Sequence, residues 1–118
     1  MIRIATKQAA KSSFERYKLG AVIVKGNRVL STGYNEIRYS SELRKSNIHA
    51  EEAAVLKLLK ENRLNDLNGS TIYVSRIRAN LSLGCSRPCI NCYNLIRSVG
   101  IDKMVYINEY GKEESIKC

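Results

Sequence analysis

Ser86-Arg87-Pro88-Cys89-Ile90-Asn91-Cys92 is the stretch on which the reading of this chain turns. Two cysteines stand three apart behind the single proline of the chain, at the head of a helix-like pattern. Side chains at i and i+3 of a helix point the same way. Pro88 suits a first helical position, where its missing N–H leaves no bond unmade. Cys89 and Cys92 are then expected in the first turn, where unpaired N–H groups and the helix dipole lower thiol pKa values. Alone, the pair fits half of a zinc site or a redox couple.

Cys89 to Val99 reads as a helix stopped by Gly100. Lys103 to Asn108 follows as a strand, and residues 109–118 are polar and weakly patterned, with room for a short final strand or helix. Upstream, Ile77 to Arg87 reads as a loop and Ser70 to Arg76 as a strand, from its β-branched and aromatic content. His49 to Leu64 is the clearest helix, with Ala50, Ala53, Ala54 and Leu58 on one side and Asn47 as its expected N-cap. Asn35 to Ile48 reads as a long loop, the kind that is usually functional in a compact domain. Arg28 to Tyr34 and Leu19 to Lys25 form a hairpin across Gly26-Asn27, with Gly33 marking a bulge or a close backbone approach. Ile2 to Tyr17 reads as the first helix, with Ile2, Ala5, Ala9 and Phe14 on its apolar side. Alternating strands and helices argue for an α/β layered domain with a parallel portion, and residues 1–118 are expected to form one domain.

Composition narrows the class. Twenty Lys and Arg against 11 Asp and Glu leave a net charge of +9, a surface that draws nucleotides, nucleic acid or acidic partners. A charge of this size serves simple solubility about equally well. No apolar run approaches the roughly 20 residues that span a bilayer, so no membrane partner is expected. The N-terminus lacks a signal-peptide layout, and a cytoplasmic location is expected. There, four cysteines read as metal ligands or free thiols rather than disulfides.

The only histidine is His49, within His49-Ala50-Glu51 at the start of the long helix. If the two helices pack on one sheet, their N-termini can converge. One imidazole and two thiolates then supply three zinc ligands and leave a fourth position for water. Glu51, in the first turn, could reach beside that position and carry protons. Cys85, four residues before Cys89, keeps a second possibility open: a closed structural site of three cysteines and His49.

Taken together, His49-Ala50-Glu51 and Pro88-Cys89-Ile90-Asn91-Cys92 resemble the zinc-binding signature of the cytidine and deoxycytidylate deaminase superfamily. Gly20-Ala21-Val22-Ile23-Val24, the hairpin and Gly33-Tyr34-Asn35 resemble its deoxycytidylate branch, over roughly residues 2–108. The resemblance implies a three-layer α/β/α cytidine deaminase-like sandwich on a mixed sheet of four to five strands. It implies zinc held by His49, Cys89 and Cys92, attack by zinc-activated water on the carbon bearing the exocyclic amine, and Glu51 as proton shuttle. Asn35 would contact the sugar, and the backbone of Ala50 would read the base edge. The implied substrate is a cytosine nucleotide or nucleoside, dCMP first, handled by a homo-oligomer. The branch with cysteine at the His49 position is disfavoured, and Asn91-Cys92-Tyr93-Asn94 departs from the tRNA adenosine deaminases. Arg38, Arg44, Lys45, Arg76, Arg78 and Arg87 are candidates for phosphate contact. A nucleic-acid deaminase is the less favoured alternative, because one Phe and no Trp leave little for base stacking. A non-catalytic zinc-stabilised binding module is the other.

Overall fold

The computed structural model describes residues 1–12, 17–39, 45–78 and 82–118, with backbone alone at 17, 37–39 and 45–47. In chain order the elements are α1 (Ile2–Ala9), β1 (Tyr17–Lys25), β2 (Arg28–Tyr34), β3 (Glu36–Tyr39), β4 (Lys45–Ile48) and α2 (Ala50–Lys60). A 3-10 turn (Leu64–Leu67), β5 (Thr71–Arg78), α3 (Ile90–Ser98), β6 (Lys103–Ile107) and β7 (Glu113–Lys117) complete them.

β1 organises the rest. Its β-branched run pairs antiparallel with β2 on one side and with β5 on the other. β6 joins β5 in parallel and β7 joins β6 antiparallel, giving a five-stranded mixed sheet in the order β2-β1-β5-β6-β7. The tail therefore supplies the fifth strand. Because β1 opposes both β2 and β5, those two strands run the same way, and so does β6. Each step from one of them to the next is a helical crossover, through α2 and then α3.

Alternation along β1 sorts its side chains between two layers. Val22 and Val24 pack with Ala5 of α1 on one face. Ala21 and Ile23 pack with Ala50, Ala54 and Leu58 of α2 and Ile96 of α3 on the other. The result is a three-layer α/β/α sandwich. Its helices approach the sheet through glycine. A Cβ on Gly20 would stand 2.0 Å from Ala5 O, and one on Gly33 would stand 2.5 Å from Ala50 O and 2.6 Å from Ala54 N. Gly33 thus marks a close approach. The hairpin's bulge lies elsewhere, between Ile23 and Val24.

Several boundaries differ from the sequence reading. α1 ends at Ala9, well short of Tyr17, which belongs to β1 opposite Arg78. The chain leaves the helix where the buried Ser12 hydroxyl donates to Asn35 O at 2.8 Å. Phe14 and Glu15 lie outside the described residues, as do Ser40, Ser41 and Arg44. Residues 35–48 contain a two-stranded ribbon, β3 against β4, instead of a plain loop. Its residue Asn47 pairs with Ile37, so the N-cap of α2 is His49. α2 stops before Leu64 because Asn62 takes a left-handed φ of 55°. Arg63 N–H then bonds back to Leu58 O at 2.8 Å, closing a Schellman-type end. Gly100, at φ 90°, ends α3 the same way, with Ile101 N–H on Ile96 O at 3.3 Å. The stretch after β5 also folds back on that strand: Gly84 N–H donates to Arg76 O at 2.9 Å and Arg78 N–H to Ser82 O at 2.8 Å. Cys118 is not a loose end, since its N–H donates to Asp102 O at 2.8 Å and its side chain packs on the core.

Candidate metal centre and active site

α2 and α3 both start just beyond the carboxyl ends of parallel-running strands, the usual place for a site in an open α/β sheet. His49 is the N-cap of α2 and Cys89 the N-cap of α3. Pro88 therefore precedes the helix instead of opening it, and Cys92 sits one turn in. The pairing of β5 with β6 runs only from Thr71↔Lys103 to Tyr73↔Val105. Beyond it, Ser86 fills the widening gap. Its hydroxyl donates to Val74 O at 2.7 Å and accepts Ile107 N–H at 2.8 Å, while its own N–H donates to Ile107 O at 2.8 Å. This stitch holds the segment leading into Cys89 against two strands.

The donor atoms of His49, Cys89 and Cys92 lie within 4.8 Å of one another. His49 Nδ1 is 3.3 Å from Cys92 Sγ and 3.7 Å from Cys89 Sγ. A tetrahedral ion with ordinary zinc–nitrogen and zinc–sulfur bond lengths separates such atoms by about 3.6 Å. The nitrogen–sulfur donor set suits zinc in kind as well. Among the described residues Cys85 is not part of this cluster, so an ion held by these three donors would keep a fourth position open for water.

Glu51 reaches the same place from the first turn of α2. It is 2% exposed, and its Oε1 has no hydrogen-bond partner among the described residues. Burial pushes its carboxyl above the usual range, opposed by its own backbone N–H, the charge of His49 and the Cys92 thiol. Burial also pushes the Cys92 thiol up, and the nearby Glu51 adds to this. Desolvation thus outweighs the helix dipole that was expected to lower it. A divalent cation reverses the preference, because coordination deprotonates a thiol outright.

A cavity of about 160 Å³ opens beside these groups, lined by His49, Glu51, Arg76, Cys85, Arg87 and Cys89. Asn35, 1% exposed, lies at the edge of β1, with its Oδ1 accepting Leu19 N–H at 2.8 Å. Leu19 lines the cavity and the Asn35 side chain does not. Ala50 is fully buried as the first residue of α2, where its N–H has no partner within the helix. Of the basic candidates, Arg76 and Arg87 reach the cavity and Arg78 packs beside Gly84. Arg44, and the side chains of Arg38 and Lys45, lie outside the described residues.

The sequence reading missed Ser86 as a structural stitch and the anchoring of Arg87. Arg87 donates to the Tyr106 hydroxyl from Nη2 at 2.8 Å and from Nε at 3.2 Å, and Nη2 also reaches Glu114 Oε2 at 3.4 Å. The Tyr106 hydroxyl donates to the same Glu114 oxygen at 2.5 Å. No short motif announces these partners, which meet only when β7 joins the sheet.

A layered α/β/α domain with nitrogen and sulfur donors gathered at two helix starts, beside a buried carboxyl group, is the architecture of a metal-dependent enzyme. The chain belongs to the cytidine and deoxycytidylate deaminase family, whose model, described as the cytidine and deoxycytidylate deaminase zinc-binding region, matches residues 1–108. The deoxycytidylate deaminase of Mycobacterium phage D29 is 36% identical over 129 aligned positions, covering 90% of each chain. That of Schizosaccharomyces pombe is 27% identical over 95% of this chain, which spans only 37% of the yeast protein. Among solved structures, the cytidine deaminase of Burkholderia pseudomallei matches with a TM-score of 0.72 at 21% identity, over 98% of this chain and 88% of that one. The dCMP deaminase of cyanophage S-TIM5 matches at 0.66 and 24% identity, over 87% and 75%. These two likenesses show the fold. No helix among the described residues is long and apolar enough to cross a membrane.

Proposed function

We propose that this protein hydrolyses the exocyclic amine of a cytosine nucleotide, with dCMP as the first substrate to test, releasing ammonia and leaving uracil. The observation that carries the reading is the meeting of His49, Cys89 and Cys92 beside the buried, unpartnered Oε1 of Glu51. The D29 relative is named a deoxycytidylate deaminase, and the S-TIM5 enzyme was solved in complex with dCMP and dUMP, which supports the choice of base and phosphate.

His49, Cys89 and Cys92 would hold zinc, which when bound activates water for attack on the ring. Glu51 is the proton carrier. Burial makes its carboxyl hold a proton more readily than an exposed one, so it can accept a proton and return it to the ring nitrogen and the departing amine. The cavity is small, and it admits the base while the sugar and phosphate extend outward. Ala50, through its N–H at the helix start, is the candidate reader of the base edge, and Asn35 the candidate contact to the sugar.

The test is ammonia release from dCMP by the zinc-loaded protein, beside Glu51→Gln. Turnover that disappears in the variant while zinc stays bound supports the reading. A folded, zinc-bound wild-type protein that leaves dCMP, deoxycytidine and single strands untouched overturns it.

A further inference from the structure

We propose that the outer edge of β7 is an interface at which a second copy of this chain pairs antiparallel, about a two-fold axis at Ser115. The pairing would join two five-stranded sheets into one. It goes beyond the deaminase reading and does not depend on it.

The first observation is which backbone groups face outward. β7 closes the sheet, with β6 on one side and no strand on the other among the described residues. Asn108 N–H donates to Lys112 O at 2.8 Å and Cys118 N–H to Asp102 O at 2.8 Å, both in the register that sets Tyr106 opposite Glu114. Hydrogen-bonded pairs alternate along an antiparallel ladder, so residues 112, 114, 116 and 118 turn their N–H and C=O toward β6. Glu113, Ser115 and Lys117 turn theirs away from the sheet.

The second observation is the order of charges. The side chains of Glu113, Ser115 and Lys117 share the exposed face of β7, while Glu114 and Ile116 lie on the α3 side. Antiparallel pairing centred on Ser115 sets each Glu113 directly opposite Lys117 of the other copy. The facing pairs would exchange about six main-chain hydrogen bonds. Centring the pairing on Glu113 or on Lys117 instead sets like charges against each other. Within one copy, Lys103 and Lys117 stand directly opposite on the exposed face, in a pair not joined by hydrogen bonds. In such pairs the Cα atoms approach to about 4.5 Å, and like charges there are unfavourable. Among the described residues, neither lysine nor Glu113 belongs to an ion pair. Glu113 of the second copy supplies the counter-charge, so this edge suits its own copy although the chain carries +9 overall.

The third observation is apolar surface beside that edge. A groove of about 340 Å³ runs between α3 and the last two strands, lined in part by Ile90, Tyr93, Met104, Tyr106 and Ile116. Ile90 is 70% exposed. Through Ile116, β7 forms the outer wall of the groove. A two-fold axis perpendicular to the sheet puts both α3 helices on one side, so the second copy extends that wall and covers apolar surface that one copy leaves open.

Charge-swap variants test this by sedimentation velocity of the zinc-loaded full chain. At about 100 μM, where a micromolar interface is nearly full, the wild type should sediment as a pair or a multiple of one. Lys117→Glu and Glu113→Lys should each weaken association about tenfold or more, because each turns two cross-copy contacts from unlike to like. Combining Glu113→Lys with Lys117→Glu should restore association to within about threefold of wild type. Ser115→Pro should abolish it, because the lost N–H faces outward and the bonds to β6 stay. Circular dichroism and bound zinc verify each fold, and should the proline variant not fold, the charge variants decide alone. A monomeric wild type overturns the proposal. So does association that the single reversals leave unchanged, which would place the interface on another face. Failure of the double variant to recover what the single ones lose overturns it too. Ammonia release enters none of these outcomes, so failure of the deaminase reading leaves the test intact.

Discussion

His49 Nδ1 and Cys92 Sγ lie 3.3 Å apart although 43 residues separate them along the chain. Two crossovers in the same sense bring them together, one ending β2 and the other ending β5. Cys92→Ser and His49→Ala are each expected to drop bound zinc from about one ion per chain to near zero after dialysis, because two donors of this set no longer fill a stable site. Metal analysis of the folded variants checks this, and full retention of zinc in either would remove that residue from the ligand set.

Glu51→Gln separates metal binding from proton transfer. The amide keeps the shape and cannot cycle a proton. Turnover is expected to fall by about 10²–10⁴-fold or more while zinc content stays at the wild-type level. A variant that retains most of its turnover would place the proton carrier elsewhere.

Cys85 stands in the cavity wall but outside the donor cluster. Cys85→Ser is therefore expected to leave zinc stoichiometry unchanged. Loss of zinc from that variant would restore the closed four-ligand site, which has no room for water.

Gly20 and Gly33 make a matched pair on opposite faces of the sheet. An added methyl at Gly20 meets the backbone of α1, and one at Gly33 meets the backbone of α2. Each alanine variant is expected to lose about 1–3 kcal/mol of stability, since backbone cannot move aside as a flexible side chain can. Only Gly33→Ala should also weaken zinc retention, because α2 carries His49 at its head. Chemical unfolding together with competition by a chelator measures both effects.

What could be read ahead of the structure was whatever short-range chemistry specifies. The hairpin at Gly26-Asn27 was legible because Gly26 must take a φ of 60°. The stop at Gly100 was legible for the same reason. The meeting of His49, Cys89 and Cys92 could be anticipated because metal chemistry demands particular side chains at particular spacings. The β3–β4 ribbon was not, since residues 35–48 lack a clean apolar alternation and the ribbon is held by backbone pairing such as Ile37↔Asn47. Nor was the end of α1, which depends on the Ser12 hydroxyl meeting Asn35 O, 23 residues away.

From residues alone came the order of the three helices and of four of the five strands of the main sheet, and the two helix starts at which His49, Cys89 and Cys92 stand. Only the tertiary structure decided that Cys85 stands apart from the cluster, that Arg76 and Arg87 face one cavity, and that the tail strand anchors Arg87 through Tyr106 and Glu114. The reason is physical. Local preferences are set within a few residues, whereas distances between side chains far apart in the chain depend on how strands pair and which face each residue presents.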